Sequence, residues 1–471
     1  MNRNRIYLCL AHMSEAGLEQ KYIKEAFDTN WVVPLGPNVN GFEKDLEDFV
    51  NENKAPELAV PEATRRVEGP ANNDVVSTGS TTCLNKRVVA LSSGTAAVHL
   101  GLIAAGVKAG DEVLVQSFTF CASTHPITYL GATPILIDSE PDTWNIDPDL
   151  LEAAIKDRMA KTGKKPKAII PVALYGMPFK ADRIMEIANR YEIPVVEDAA
   201  EGFGSRYKGQ VLGTFGKSGV LSFNGNKMIT TSGGGALVTA NEEEWREIMM
   251  YATQYRESYP YYQHEKIGYN YRMSNICAGI GRGQMTIVND HLAHHKHVQK
   301  MYEELFADVP GIHVHSQPAT GEYDSNYWLC TITIDENVKI KGQENAYKTV
   351  VTGAVGGAAG VIHAASSAVT DCQPNDNVEA LRVFLDQKGI EARPLWKPMH
   401  KQPVYRGVES LELRVESLPN GIVRQTSDKS VAYINGVSEA LFKVGMCLPS
   451  GPYVSDEDVR YIVDCVKQAM E

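Results

Sequence analysis

Lys227 stands in the stretch VLSFNGNKMITTSGGGALV, residues 220–238, after an apolar run that carries Ser222 and before three hydroxyl residues and three glycines, Gly233 to Gly235. A long amine set where backbones must pack closely is poorly explained as a surface charge. Burial disfavours the charged form of an amine, and a neutral amine can attack a carbonyl to form a Schiff base. Two further loops carry compatible chemistry. Asp198 ends the apolar run IPVVED, where a carboxylate seldom sits without a cationic partner. A pyridinium nitrogen would be such a partner, kept protonated by the carboxylate. A helix N-cap also explains Asp198, and on that residue alone it is the stronger explanation. The third loop is LSSGTAAVHL, residues 91–100, in which Ser92, Ser93, Gly94 and Thr95 precede a helical pattern. Backbone N–H groups at a helix start, with hydroxyls beside them, bind an anion such as phosphate, although a plain serine cap needs no ligand.

These loops follow short strands. From residue 87, RVVAL, DEVLVQ, TPILID, KAIIPVAL and IPVVED alternate with helical stretches such as TAAVHLGLIAAGV and KADRIMEIANRYE. The strands are apolar throughout, as in a parallel sheet covered by helices on both faces, where ligands sit at the carboxyl ends of strands. The expected fold is therefore α/β, with a mostly parallel central sheet between helices and a smaller C-terminal α+β domain. The expected division is 1–290 for the large domain and 291–471 for the smaller one. Residues 55–86, rich in Pro, Ser, Thr and Asn, read as an inserted surface loop, and the Ala/Gly/Val/Ser-rich 338–375 as a second insertion. GAVGGAAG within it follows no clear strand, so it is a weak dinucleotide fingerprint.

The chain has 471 residues and a net charge of -12, which argues against nucleic acid as the main partner and leaves a small phosphorylated ligand open. The longest apolar runs are strand-sized, too short to span a membrane. The apolar part of the N-terminus, Ile6 to Leu10, is too short for a signal peptide. The 8 cysteines are scattered without a CxxC pair, which points to reduced thiols and a cytoplasmic location. His291 and His295 share a helix face at metal-ligand spacing. No third ligand is evident, so no metal is expected and a solvated helix face is the expected reading.

The order of phosphate loop, aromatic SFTF, acid at a strand end, Ser…Lys and glycine run resembles the fold-type-I pyridoxal-phosphate enzymes. More narrowly, WVVPLGPNVNGFE, LSSGTAAVHL, PILIDSEPDTWNIDP, VVEDAAEGFGSRYKG, SFNGNKMITTSGGGALV, GYNYRMSNI and GMCLPSG resemble the DegT/DnrJ family of sugar aminotransferases, in its polysaccharide-biosynthesis and perosamine-synthase-like branch. The resemblance implies that Lys227 is the Schiff-base lysine and proton shuttle. It implies Asp198 as the acid on the pyridine nitrogen and Phe120 as the ring stacked on the pyridine. Gly94, Thr95, Ala96 and Ser222 match the phosphate cradle, and Glu201 a position near the cofactor's phenolic oxygen. Asn270 matches a residue that reaches the phosphate in a neighbouring subunit, which implies a homodimer with shared active sites. Arg272, and His400 in LWKPMHKQPVY, are candidate substrate residues.

The implied activity is transfer of the amino group of L-glutamate, by way of pyridoxal 5'-phosphate, to a keto carbon of a nucleotide-linked 6-deoxy sugar for surface or exopolysaccharide glycan synthesis. Glu201 in EDAAE resembles the branch that aminates C4. Two alternatives remain: a sugar dehydratase of the same family, against which Lys227 counts because those relatives replace it, and a non-catalytic sensor, which the full Lys/Asp/Ser set disfavours.

Overall fold

The computed structural model describes residues 5–52, 86–347, 372–406 and 414–470. Of the two expected insertions, 55–86 lies outside the described residues apart from Lys86, as does 348–371 of the second. Two helices open the chain, α1 (Leu18–Asp28) and α2 (Pro37–Val50). Seven strands then carry the first block: β1 (Arg87–Leu91), β2 (Glu112–Gln116), β3 (Thr133–Ile137), β4 (Ala168–Ile170), β5 (Val196–Asp198), β6 (Ser218–Ser222) and β7 (Gly235–Thr239).

The strands β3, β2 and β4 pair in parallel, with Val113 opposite both Pro134 and Ala168. Strands β5 and β6 also pair in parallel. Isolated parallel bridges from Ile169 to Val195 and from Val172 to Asp198 carry the pairing from β4 to β5. Strand β7 runs antiparallel between β6 and β1. The spatial order is thus β3-β2-β4-β5-β6-β7-β1, parallel but for β7. Val113 to Val115, Ile135 to Ile137 and Ala168 to Ile170 are all fully buried, so both faces of the sheet are covered. That accounts for their unbroken apolar character and agrees with the fold class expected from the sequence.

A meander of Arg414–Ser417, Val423–Thr426 and Val431–Ile434 extends this sheet, its last strand parallel to β3. These residues lie far along the chain, beyond position 291. A second, antiparallel sheet joins Ile312–Val314, Cys330–Ile334, Gly445–Leu448 and Arg393–Pro394. Its core draws Ile332, Leu381 and Val463 together with Ile6 from the N-terminal arm. The closing helix Asp456–Ala469 starts with a reciprocal capping box between Ser455 and Asp458, which satisfies two of its free backbone donors. Among the described residues, no helix is long and apolar enough to cross a membrane.

Candidate active site

A cavity of about 430 Å³ opens at the carboxyl ends of β1, β5 and β6. The N-terminal end of the reversed strand β7 meets it there too. After β1 the chain enters helix α3 (Gly94–Ala104), with Ser93 extended at its N-cap and its Oγ accepting from Ala96 N at 3.1 Å. Gly94 and Thr95 line the cavity beside Ser222, whose residue is buried. A Cβ on Gly94 would stand 3.0 Å from Ser222 Cβ, and one on Gly235 would stand 2.4 Å from Gly94 N. Gly235 therefore lets β7 pass against the start of α3, which accounts for a small residue at that position near the lysine.

Asp198 is 3% exposed. Its Oδ2 accepts from Ser123 Oγ at 2.7 Å and its Oδ1 from Ala200 N at 3.1 Å. Ser123 is itself 2.8 Å from Thr119 Oγ1. Burial pushes the Asp198 carboxyl up, while the bonds from Ser123 and Ala200 and the charge of Lys227 hold it down. A buried carboxylate with only two donors retains acceptor capacity for a third.

Lys227 follows a tight turn in which its N–H donates to Asn224 O at 2.9 Å. Its Nζ lies 3.3 Å from Glu201 Oε1 and 3.8 Å from the ring centre of Trp328. The other Glu201 oxygen accepts from Tyr175 N at 2.8 Å. Burial raises the Glu201 carboxyl, opposed chiefly by the Lys227 charge. Trp328 is fully buried, and its Nε1 donates to Asn226 O at 2.7 Å, tying the lysine's loop to the second sheet. At the mouth, Phe120 is 50% exposed, with Trp396 beside it at a centroid distance of 5.5 Å. An amine, two carboxylates, a helix start and an open aromatic face thus share one cavity.

A model of the DegT/DnrJ/EryC1/StrS aminotransferase family matches residues 59–356. The chain belongs to this family. The aminotransferase is 36% identical over 464 residues, 98% of its own length and 94% of the relative's, to EpsN of Bacillus subtilis (strain 168), whose name describes a pyridoxal phosphate-dependent aminotransferase. It is 29% identical to the GDP-perosamine synthase of Escherichia coli O157:H7, covering 98% of both chains. Its fold is that of a DegT DnrJ EryC1 StrS aminotransferase from Brucella abortus, at a TM-score of 0.71 and 23% identity, over 96% of this chain and 95% of that one.

In the aminotransferase, seven of the residues singled out from sequence line the one cavity: Gly94, Thr95, Phe120, Asp198, Glu201, Ser222 and Lys227. Four others stand elsewhere. Ala96 is buried in the first turn of α3 and spends its N–H on the Ser93 cap. Arg272 is not a free cation facing a substrate: its guanidinium is paired with Glu43 on α2 and donates to Ala90 O at 3.0 Å. His400 is buried behind the cavity wall, its Nδ1 2.7 Å from Ser117 Oγ, and burial pushes its pKa down to about 4. Asn270 is exposed, bridged to Thr253 and outside its own chain's cavity. The pair His291 and His295 is not a solvated face. Both are buried, with Nδ1 atoms 3.1 Å from the carbonyls of Met228 and Tyr327.

Sequence reasoning missed Ser123, Tyr175, Trp328 and Trp396. Ser123 follows SFTF closely enough to have been suspected. The two tryptophans, in SNYWLC and EARPLW, come from the second sheet's neighbourhood, and no local pattern announces their convergence on the cavity.

Proposed function

We propose that the chain is a pyridoxal 5'-phosphate-dependent transaminase that moves the amino group of L-glutamate to C4 of a nucleotide-linked 6-deoxy keto sugar, in the cytoplasmic synthesis of a surface or exopolysaccharide glycan. The observation that carries the reading is the half-buried Lys227 amine, 3.3 Å from Glu201, in the same cavity as the two-donor carboxylate of Asp198. The residues fit the cofactor. The start of α3, with Gly94 and Thr95 on the cavity wall beside Ser222, suits its phosphate. Asp198 suits a protonated ring nitrogen, Phe120 offers a flat face, and Lys227 offers the amine that would hold it.

Bound there, pyridoxal phosphate supplies the carbonyl and electron sink by which an amino group is carried from donor to acceptor. The chain's own part is positional and acid–base. Lys227 moves a proton to and from the substrate carbon. Glu201 keeps the lysine amine oriented, and Tyr175 N–H keeps Glu201 from turning away. Trp328 covers the amine at 3.8 Å, and Trp396 lines the cavity beside Phe120.

The acceptor we infer is a UDP-linked 4-keto-6-deoxy 2-acetamido hexose, with Glu201 as the residue supporting C4. The relationship to an enzyme named GDP-perosamine synthase makes GDP the competing nucleotide. A carbonyl displaced by one carbon from the reacting position loses about a hundredfold in rate for each misplacement near 1 Å. Matched 4-keto and 3-keto sugars, each linked to UDP, GDP and dTDP, are therefore assayed with glutamate. Higher kcat/KM for the 4-keto sugars is expected. Preference for the 3-keto set would overturn C4, and preference for GDP or dTDP only the nucleotide.

The exposure of Asn270 outside its own cavity supports a homodimer in which it serves the neighbouring site. Lys227→Ala and Asn270→Asp proteins, each nearly inactive alone, are refolded together. In a two-fold dimer with random mixing, about half the dimers are mixed and each holds one intact site, so about a quarter of parental activity returns. Proven mixing without recovery counts against sharing.

A further inference from the structure

We propose that Tyr175 is a positioning residue for the acceptor half of the reaction, its phenol fixing the Trp396 wall while its backbone fixes Glu201. The inference rests on the reading above, in which Lys227 moves the proton and Glu201 orients its amine. Tyr175 is 4% exposed and adopts φ 53°, ψ 17°, in the left-handed region. A bulky residue held there costs free energy and persists only where its surroundings dictate it. The surroundings are specific. A Cβ on the following Gly176 would fall 1.8 Å from Asn326 Oδ1, and Gly176 O accepts from Ser205 Oγ at 2.7 Å and Ser325 Oγ at 3.1 Å.

The strained turn gives Tyr175 two ends that act in different places. Its N–H donates to Glu201 Oε2 at 2.8 Å, on the lysine side. Its phenol oxygen accepts from Trp396 N at 2.7 Å, and its ring lies over Trp396 at 6.0 Å and 26°. Trp396 and Phe120 are shared by the main cavity and by a second one of about 350 Å³, which Lys397, His125 and Gln402 also line. A nucleotide-linked sugar is too large for the main cavity beside a cofactor and must extend past this aromatic wall. Glutamate is small enough not to. Loosening Trp396 should thus weaken the sugar's alignment and leave the donor's untouched.

Tyr175→Phe retains the ring, the φ and the N–H to Glu201, and removes the phenol oxygen that accepts from Trp396 N–H and also hydrogen-bonds the Cys447 side chain. Parent and variant holoenzymes are compared in separate half-reactions by the absorbance of the bound cofactor, with L-glutamate as donor and the UDP-linked 4-keto-6-deoxy 2-acetamido hexose as acceptor. The donor half-reaction should stay within about twofold. The acceptor half-reaction should fall on the order of tenfold in kcat/KM, mainly through KM, the scale of a sub-ångström misplacement. In parallel, hydrogen exchange at the Trp396 amide should quicken on the order of tenfold in the variant. Equal slowing of both half-reactions would indicate a merely structural role and overturn the proposal, as would no change in either. If the parent reacts with neither substrate, the functional reading fails instead. The Trp396 amide, which needs no substrate, then decides: unchanged protection overturns the anchoring.

Discussion

Replacing Lys227 with alanine should abolish turnover, lowering kcat on the order of 10⁴-fold or more, because covalent capture of the cofactor and proton transfer at the substrate carbon are lost together. The structure asks for a second variant beside it. Glu201 is buried against the lysine charge, and removing that charge leaves its carboxylate without its cationic partner, so Lys227→Ala could lose activity through Glu201 rather than through the missing amine. Lys227→Arg keeps a cation near Glu201 and cannot form a Schiff base. Both variants should be equally dead if the amine itself is the reacting group. Borohydride reduction of the parent holoenzyme, followed by peptide mass spectrometry, should place the cofactor's mass on Lys227 and leave both variants unlabelled. The assignment is falsified if either variant retains more than about a hundredth of parental kcat.

Asp198→Asn should lower kcat roughly 10²- to 10³-fold, about 3 to 4 kcal/mol of transition-state stabilisation, the scale on which a single preorganised electrostatic partner acts. The substitution is nearly isosteric. Its amide oxygen can still accept from Ser123 or Ala200, so the fold should survive. What disappears is the negative charge that would face a protonated ring nitrogen. The melting temperature should therefore hold or rise slightly, since burial already disfavours the Asp198 charge. The absorbance of bound cofactor should shift with the change in ring protonation. Activity within about threefold of the parent, with cofactor bound, would remove Asp198 from the reaction.

The part of the site legible in the sequence is the part built from strand ends. Gly94, Thr95, Asp198, Ser222 and Lys227 each follow or close an apolar strand, and in a parallel sheet that alone sends them to one rim. Trp328, Trp396 and Tyr175 were not legible, because their position depends on how the second sheet docks and on one left-handed turn. Arg272 and His400, the two substrate candidates, are a different case: no local pattern reveals that Glu43 on α2 takes the guanidinium or that Ser117 takes the imidazole. The same limit applies to 414–434. Nothing in its residues says that Val431 will pair with Ile135 on β3.

Trp328 roofs a lysine that precedes it by many residues in the chain, and Trp396 follows later still. On the ribosome, β1 to β7 emerge first, so a growing chain displays the Lys227 amine in an unroofed cleft. Domains fold roughly in the order they are made. Tight retention of anything in the cleft must then wait for the second sheet to arrive. A molecule seated in the finished cavity touches both halves of the chain and favours their docked arrangement by mass action. Vitamin supply during synthesis should thus govern how much of the polypeptide survives proteolytic surveillance, and not only how much of it is active.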